Sequence, residues 1–369
     1  MINNPLIGKE FKKLVKNKFN VYNSLFLNLP YPNISSIGML IPLLHNVCKN
    51  GLEQGKDPLE TLDSFFSIHT NITSEKAKID FMFRVVQYVE RQVVLYDSVE
   101  DAAFTQLLAL DNNLSLKDYI NLAETNENEY DILEKLNSFS TRIVFTAHPT
   151  QFYPPSVLNI IDKLKSLITQ NDINEIDLAL RQLGLTSLMN TKKPTPFDEA
   201  KNIIYFLRNV YYDAAVEMYT NIKKNFPNST FDNPNILQFG FWPGGDRDGN
   251  PFVTAEITIA VADELRMNLM KCYYKDIISL QKKLTFKIIE DIVADLRSRL
   301  YTTMFDPANT LQFEEIINPL YQIKDSLLQN YSGIYLEEIE NLIDKVNIFK
   351  THFAALDIRQ NHSVHKQAI

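Results

Sequence analysis

Three side chains that could do chemistry each stand just after a run of strand-like sequence: His148, Arg247 and Arg359. A histidine titrates near neutral pH and can accept or donate a proton. Arginine offers a planar fork of donors that matches phosphate and carboxylate groups. One proton-transfer group and two anion-binding groups suit a reaction on a small phosphorylated acid. Spacing alone leaves simpler interpretations open. A histidine at a strand end is more often structural than catalytic, and the role of Arg359 could be limited to an ion pair with Asp357.

Arg247 belongs to the segment Gly240–Pro251, which reads GFWPGGDRDGNP and holds four of the ten glycines and the only tryptophan. Glycine allows a sharp bend and a close approach of the backbone to a ligand. The apolar run Ile236–Phe241 leads into the segment, and Thr254 can cap a helix that begins at Ala255. A strand, a glycine-rich turn and a helix in this order are typical of sites at strand ends in α/β enzymes. Arg247 could equally serve only to order the loop through its acidic neighbours.

Two further strands are predicted to position the other two side chains. Arg142–Ala147 is short, β-branched and aromatic, which indicates a buried strand, and Pro149 holds His148 in an extended conformation at its end. His352–Ile358 has a similar character and ends in Arg359. Long helical segments separate the three strands, and buried strands joined by helical crossovers favour parallel pairing. We therefore expect the three strand ends to converge on one edge of a sheet.

Most of the remaining chain has apolar residues at helical spacing. A helix that starts at 37 is expected to stop at Asn50-Gly51, and Thr195 with Pro196 is expected to start another. The predicted helical segments are 6–29, 37–48, 58–66, 73–95, 98–110, 115–122, 130–136, 155–169, 174–190, 197–226, 255–304, 310–331 and 334–350. The expected fold class is therefore α/β but predominantly helical.

Composition narrows the class of protein. Of 369 residues, 45% are hydrophobic and 22% charged, as in soluble globular proteins. The net charge of −8, without a basic stripe, argues against a nucleic-acid partner. Cys48 and Cys272 lie far apart without CxxC spacing, which favours reduced thiols over a disulfide or a zinc site. Neither a signal peptide nor a membrane span is evident, so we expect a cytoplasmic protein without a membrane partner.

Three ordered segments resemble the signatures of phosphoenolpyruvate carboxylase. Thr146–Thr150 reads TAHPT, Gly244–Pro251 reads GGDRDGNP and Leu356–Gln360 reads LDIRQ. A fourth segment, Pro196–Lys201, is similar to a proline-led DEA segment that the family has between the first two. The resemblance covers the chain from about residue 140 and, more loosely, the residues before it.

The resemblance implies an eight-stranded α/β barrel surrounded by many helices, in a family well over twice this length. The chain would then supply a helical N-terminal region, 1–140, and the first three strands with their helical crossovers, 141–369. That arrangement is an incomplete (β/α) barrel, three of eight strands, with large helical insertions. The family's metal-binding carboxylates, active-site lysine and mobile glycine-rich loop are expected beyond Ile369.

The family's chemistry implies roles for the three strand-end residues. Bicarbonate attacks phosphoenolpyruvate to give carboxyphosphate and the pyruvate enolate, and the enolate then takes up carbon dioxide to form oxaloacetate, which supplies the tricarboxylic acid cycle. His148 would be the catalytic proton acceptor, and Arg359 would bind the phosphoryl group. Arg247 would bind substrate or order the loop. Mg²⁺ or Mn²⁺ would polarise the substrate, with no ligands in this chain, and the full-length enzyme is expected to be a homo-oligomer.

The chain departs from the family pattern near His148. Gln151 stands where the family usually has Glu, and Phe152–Ser156 lacks two arginines that commonly follow. Thr186–Asn190 lacks another, and in some members these arginines are associated with a sugar-phosphate activator, so the resemblance does not extend to that regulation. His362 and His365 are expected to have packing or hydrogen-bonding roles.

The leading hypothesis is the N-terminal part of a phosphoenolpyruvate carboxylase, a carboxy-lyase that would be inactive as this isolated chain. The alternative is a non-catalytic, barrel-derived partner or regulatory subunit, because an open three-stranded sheet exposes apolar edges that need a covering chain. A phosphate-ester enzyme on another fold is a third possibility, and it would require His148 and Arg359 to lie far apart.

Overall fold

The computed structural model describes residues 5–29, 31–110, 129–146, 153–188, 194–226, 231–247 and 250–368. The chain divides into two compact units, Met1–Asn113 with Thr150–Lys192 and Leu114–Pro149 with Lys193–Ile369. The predicted division into 1–140 and 141–369 stays a prediction, as does the barrel. The predicted helix at 115–122 lies outside the described residues. None of the helices in the described ranges is long and apolar enough to cross a membrane.

Helices dominate the described chain, and three short strands interrupt them. In chain order the elements are α1 (Pro5–Phe11), a π-helical turn (Lys12–Lys16), α2 (Asn17–Leu27), α3 (Pro32–Glu53), α4 (Pro58–His69), α5 (Glu75–Leu110), α6 (Glu129–Ser138), β1 (Thr141–Phe145), α7 (Pro155–Gln170), α8 (Ile173–Leu185), α9 (Pro196–Phe206), a second π-helical turn (Leu207–Tyr211), α10 (Tyr212–Asn225), β2 (Leu237–Phe241), α11 (Ala255–Gln281), α12 (Lys287–Thr303), α13 (Phe313–Asn330), α14 (Leu336–Phe349), β3 (Ala355–Leu356) and α15 (His362–Ala368).

The first unit contains helices and no strand among its described residues, and it has its own apolar core. The long helix α5 packs against α7, and α7 packs against α8. Val94 and Leu95 of α5, Leu164 of α7 and Leu180 of α8 are fully buried in this core. Burial of such side chains contributes about 1.5–3 kcal/mol each.

The second unit contains the sheet, with strand order β1-β2-β3 and parallel pairing throughout. Thr141 pairs with Leu237, and the register continues to Phe145 opposite Phe241. The predicted parallel pairing is therefore confirmed. The third strand is much shorter than predicted, since regular pairing covers only Ala355–Leu356. The prediction that the first strand is buried is wrong, since Thr141–Val144 are exposed and only Phe145 is partly buried.

One face of the sheet rests on the core of the second unit. The ring of Phe239 stacks on Phe349 of α14 with centroids 5.5 Å apart, and Phe145 packs edge-on against Tyr211 at 4.9 Å. Alternation along the strand places Phe239 and Phe241 on this face and Gly240 on the other. The helix α11 presents a buried stripe to the same core at four-residue spacing. Its members are Val261, Leu265, Leu269, Tyr273 and Ile277.

Candidate functional site

The carboxyl ends of the three strands lie at one edge of the sheet, because the strands are parallel. The amide of Trp242 donates to the carbonyl of Phe145 at 2.9 Å and extends the pairing of β1 with β2. The amide of Asp357 donates to the carbonyl of Phe241 at 2.9 Å and does the same for β2 and β3. The ends of the three strands are thus held in register at the carboxyl edge.

Arg247 and Arg359 lie together at this edge, as the sequence predicted. The amide of Arg247 donates to the carbonyl of Arg359 at 2.8 Å, and the amide of Arg359 donates to the carbonyl of Gly245 at 3.0 Å. Asp246 and Arg359 form a parallel β-bridge beyond the regular strands. The two segments are therefore fixed to each other by the main chain.

The guanidinium of Arg359 is held on two sides. Its Nη1 donates to Oδ2 of Asp246 at 3.1 Å, and its Cζ lies 4.2 Å from the ring centroid of Trp242. A cation over an aromatic face is attracted by the ring's electron density, and a carboxylate fixes the direction of the fork. Because 41% of the Arg359 side chain stays exposed, the group is oriented and still accessible to an anion.

The side chain of Arg247 turns towards α11. Its Nη2 donates to Oγ1 of Thr258 at 3.0 Å, and that hydroxyl donates in turn to the carbonyl of Gly244 at 2.7 Å. Its Nε is buried and has no hydrogen-bond partner among the described residues. These contacts favour the loop-ordering interpretation, and a direct substrate contact for Arg247 stays a prediction.

The helix after the glycine-rich loop begins as predicted. The Oγ1 of Thr254 accepts from the amide of Ile257 at 3.4 Å and caps α11. A side-chain hydrogen bond from Thr254 lowers the pKa of Glu256 in the first turn, with Arg247 nearby as a weaker cause. The cap determines where α11 begins, and therefore where Thr258 stands relative to the glycine-rich loop.

Two glycines of the loop are required by close packing. Gly244 has φ of +79°, and a Cβ there would lie 2.5 Å from Cγ2 of Val261. A Cβ on Gly245 would lie 2.3 Å from the carbonyl oxygen of Asp357, which a rotamer change cannot relieve. The clustering of glycines therefore lets the β2 loop touch both α11 and the segment after β3.

Arg142 is a site residue that the sequence analysis missed. From β1 its guanidinium reaches across Gly240, where a Cβ would lie 2.8 Å from Nε, to Oδ1 of Asp357 at 2.7 Å. The ion pair of Asp357 is thus with Arg142, and Arg359 pairs with Asp246 instead. A charged residue in an otherwise apolar, strand-like segment is the signal that could have identified it.

The predicted catalytic residue, His148, lies outside the described residues, as do Gln151 and Phe152. After β1 the structure describes the chain only as far as Thr146. The role of His148 as a proton acceptor therefore stays a prediction. His362 and His365 are exposed on α15. Within the described ranges, no three His, Cys, Asp or Glu side chains gather closely enough to hold a metal ion.

The phosphoenolpyruvate carboxylase family model matches residues 81–309 and 301–369. Among curated relatives, the phosphoenolpyruvate carboxylase of Haemophilus influenzae (strain PittEE) is 27% identical over 309 residues, 71% of this chain and 35% of the relative. That of Shewanella sediminis is 28% identical over 292 residues, 66% of this chain and 33% of the relative. The chain spans about a third of the length of these relatives. Since the family match extends over far more than half of the chain, this protein belongs to the phosphoenolpyruvate carboxylase family.

Proposed function

We propose that this chain contributes the first part of the active site of a phosphoenolpyruvate carboxylase, built on the first three strands of a (β/α) barrel. The observation that supports it most directly is the main-chain pairing of the Arg247 and Arg359 segments at the carboxyl edge of a parallel sheet, in a member of this family. Active sites of α/β barrels lie at that edge. The substrates proposed are phosphoenolpyruvate and bicarbonate.

In the proposed reaction, an oxygen of bicarbonate attacks the phosphorus of phosphoenolpyruvate. The bond from phosphorus to the enol oxygen breaks, which gives carboxyphosphate and the enolate of pyruvate. Arg359, oriented by Asp246 and Trp242, offsets the negative charge that builds on the phosphoryl oxygens. Arg247 keeps the loop in place through Thr258.

His148 is proposed to accept the proton of carboxyphosphate, which then collapses to carbon dioxide and phosphate. The methylene carbon of the enolate attacks carbon dioxide and forms oxaloacetate. Family membership implies a requirement for Mg²⁺ or Mn²⁺, but the described residues do not form a site for one, so no step here is assigned to the metal. We also propose that the full-length enzyme is cytoplasmic and homo-oligomeric, and that its oxaloacetate supplies the tricarboxylic acid cycle.

Calorimetric titration of the chain with phosphoenolpyruvate tests the role of Arg359. Arg359→Gln is expected to weaken binding about tenfold, because one charge-assisted, bidentate contact is lost. Arg297→Gln, which removes an exposed arginine from α12, is the matched control and is expected to bind like the unaltered chain. Equal affinities in all three proteins would contradict the proposed role.

An assay for oxaloacetate with bicarbonate, Mg²⁺ and phosphoenolpyruvate tests the isolated chain. No turnover is expected, because the family's metal-binding carboxylates and active-site lysine have no counterpart among the motifs found in this sequence. Robust oxaloacetate formation by the chain alone would contradict this expectation.

One observation bears on the alternative of a non-catalytic partner. β1 is an outer strand of the sheet, and its Ile143 and Val144 are 36% and 39% exposed. Such an edge is suited to cover by further strands or by another chain. If the gene's reading frame continues past Ile369 into lysine, carboxylate and glycine-rich motifs, the chain is part of an enzyme. A stop codon there, with no gene for a complementary half nearby, would favour the non-catalytic partner.

A further inference from the structure

The second unit contains a cavity of about 230 Å³ between the π-helical turn Leu207–Tyr211 and α11. Arg208 and Asn209 of the π-helical turn line one side, and Lys271 and Lys275 of α11 line the other. Single π-helical turns in longer helices are frequent at functional sites, because the extra residue turns side chains out of the regular helical pattern. None of these residues belongs to the strand-end site.

The cavity gathers three positive side chains from two elements. Lys271 and Lys275 are one turn apart on the same face of α11. Nη1 of Arg208 lies 3.5 Å from Oδ1 of Asn268, which precedes Lys271 by three residues on that face. Within the described part of the chain, Arg208, Lys271 and Lys275 form no ion pair with a carboxylate.

The negative groups of the same wall are already paired. Nζ of Lys345 lies 2.8 Å from Oδ1 of Asp213 and 2.9 Å from Oδ2 of Asp276, and only 8% of its side chain is exposed. The hydroxyl of Tyr212 donates to the same carboxylate of Asp276 at 2.8 Å. Lys345 supplies one positive charge against these two carboxylates, so one negative charge stays uncompensated within this group. Counted with Arg208, Lys271 and Lys275, four cations face two aspartates, which leaves a net charge of +2 at the cavity.

The one thiol in the wall does not add negative charge. Burial raises the pKa of Cys272 to about 12; the nearby Asp276 and Asp213 act in the same direction, and Arg208 and Lys275 act in the opposite direction. The thiol therefore stays neutral at physiological pH. The cavity as a whole carries an excess of positive charge and offers amide, ammonium and guanidinium donors.

We propose that this cavity binds a small multivalent oxyanion, either inorganic phosphate or the phosphate group of a small metabolite. Phosphate carries close to two negative charges near neutral pH and accepts several charge-assisted hydrogen bonds, which three cations from two helices can supply. The recessed shape and small volume suit a phosphate group better than an extended polymer. The inference concerns a different part of the unit from Arg359 and does not depend on carboxylation.

Calorimetric titration with inorganic phosphate, at ionic strength matched with sodium chloride, tests the proposal. The unaltered chain is expected to give a saturable signal, and Lys271→Gln with Lys275→Gln is expected to weaken binding at least about tenfold, because two charge-assisted contacts are lost. Lys282→Gln removes an exposed lysine that directly follows α11, outside the cavity, and is the matched control. It is expected to leave binding unchanged.

Two further variants keep the test decisive. Lys271→Arg with Lys275→Arg preserves both charges and is expected to retain binding, which separates loss of charge from loss of structure. Arg359→Gln is expected to retain phosphate binding in the cavity, so loss of anion binding at the strand-end site can be told apart from loss of binding in the cavity.

Parallel titration with glycerol phosphate distinguishes the two ligand sources, since tighter binding of the ester indicates a metabolite. No saturable binding of either probe, or equal affinities in the Lys→Gln pair and the Lys282→Gln control, would overturn the proposal.

Discussion

Gly244 and Gly245 are the residues at which an added methyl group would disturb the strand-end loop most. Gly244→Ala is expected to lower the free energy of unfolding by about 2–4 kcal/mol, since it adds a strained φ and a clash with Val261. Gly245→Ala is expected to cost about 1–3 kcal/mol and to push the Asp357 segment away. Urea denaturation measures both.

Gly55→Ala is the matched control for Gly244→Ala. Gly55 also has a positive φ, +65°, but a Cβ there would meet nothing within 4 Å. It is therefore expected to cost only about 1–2 kcal/mol, from backbone strain alone. If Gly244→Ala costs no more than Gly55→Ala, the contact with α11 does not constrain the loop.

Individual residues also show how much of the candidate site could be predicted from the sequence. The pairing of the Arg247 and Arg359 segments followed from strand character and helical spacing, because parallel strands bring their carboxyl ends together. The partners of individual charges did not follow from sequence. Arg359 has Asp357 two residues away, yet it pairs with Asp246, and Asp357 pairs with Arg142 from the far strand. Such pairings depend on cross-strand register, which local sequence does not specify.

At the scale of elements, start signals were more informative than stop signals. Thr195 caps α9 in a capping box with Asp198, whose amide donates to Oγ1 of Thr195 at 3.2 Å. The predicted bounds of α3 are wrong at both ends, since the helix begins at Pro32, before the expected residue 37, and continues past Asn50-Gly51 to Glu53. A Cβ on Gly51 would lie 2.5 Å from Oγ1 of Thr61, so this glycine makes room for α4 and does not end the helix.

Two other boundaries were set by contacts that the local pattern does not reveal. The predicted helices 73–95 and 98–110 are one helix, because Ser98 donates its hydroxyl to the carbonyl of Val94 at 2.8 Å inside α5 and does not cap a new helix. Between 255 and 304 no glycine or proline marks an interruption, yet α11 ends at Gln281. Leu284 is fully buried in the connection, so packing, and not a breaker residue, determines the turn.

The contact of α10 with α14 makes a prediction about pH. Nζ of Lys223 lies 2.9 Å from Oδ2 of Asp344, whose side chain is only 9% exposed. Burial raises the pKa of Asp344 above its ordinary value of 3.8, and Lys223 only partly opposes this. The folded state therefore binds this proton more readily than the unfolded chain does, so the contribution of Asp344 to stability grows as pH falls towards 3.8 and is lost as pH rises through the folded pKa.

Urea denaturation of the unaltered chain and Asp344→Asn over a series of pH values checks that sign. The unfolding free energy of the unaltered chain minus that of the variant is expected to increase as pH is lowered from neutral towards 3.8. Asp325→Asn, which removes an exposed carboxylate from the neighbouring α13, is the control for general charge effects. A difference that stays constant or decreases over this range would show that the ion pair with Lys223 outweighs burial.

At the scale of the whole molecule, the two compact units each bury a separate apolar cluster. Leu164 is fully buried in the cluster of the first unit, and Leu320 is fully buried in that of the second. Replacing either with alanine removes buried methyl groups and leaves a cavity, at a cost of about 2–5 kcal/mol. If stability is carried by separate cores, each substitution should loosen only the unit that contains it.

Hydrogen exchange followed by mass spectrometry, in a denaturant concentration below the main unfolding transition, can locate the effect. Leu164→Ala is expected to speed exchange in peptides of Met1–Asn113 and Thr150–Lys192, and Leu320→Ala in peptides of Leu114–Pro149 and Lys193–Ile369. Each variant is the size-matched control for the other, because both make the same chemical change at a fully buried position. Faster exchange in both units with either substitution would mean that the chain unfolds as one cooperative body. In that case a weakened first unit would also release the Arg247 and Arg359 segments, and strand-end substitutions would have to be judged against the stability of the entire chain.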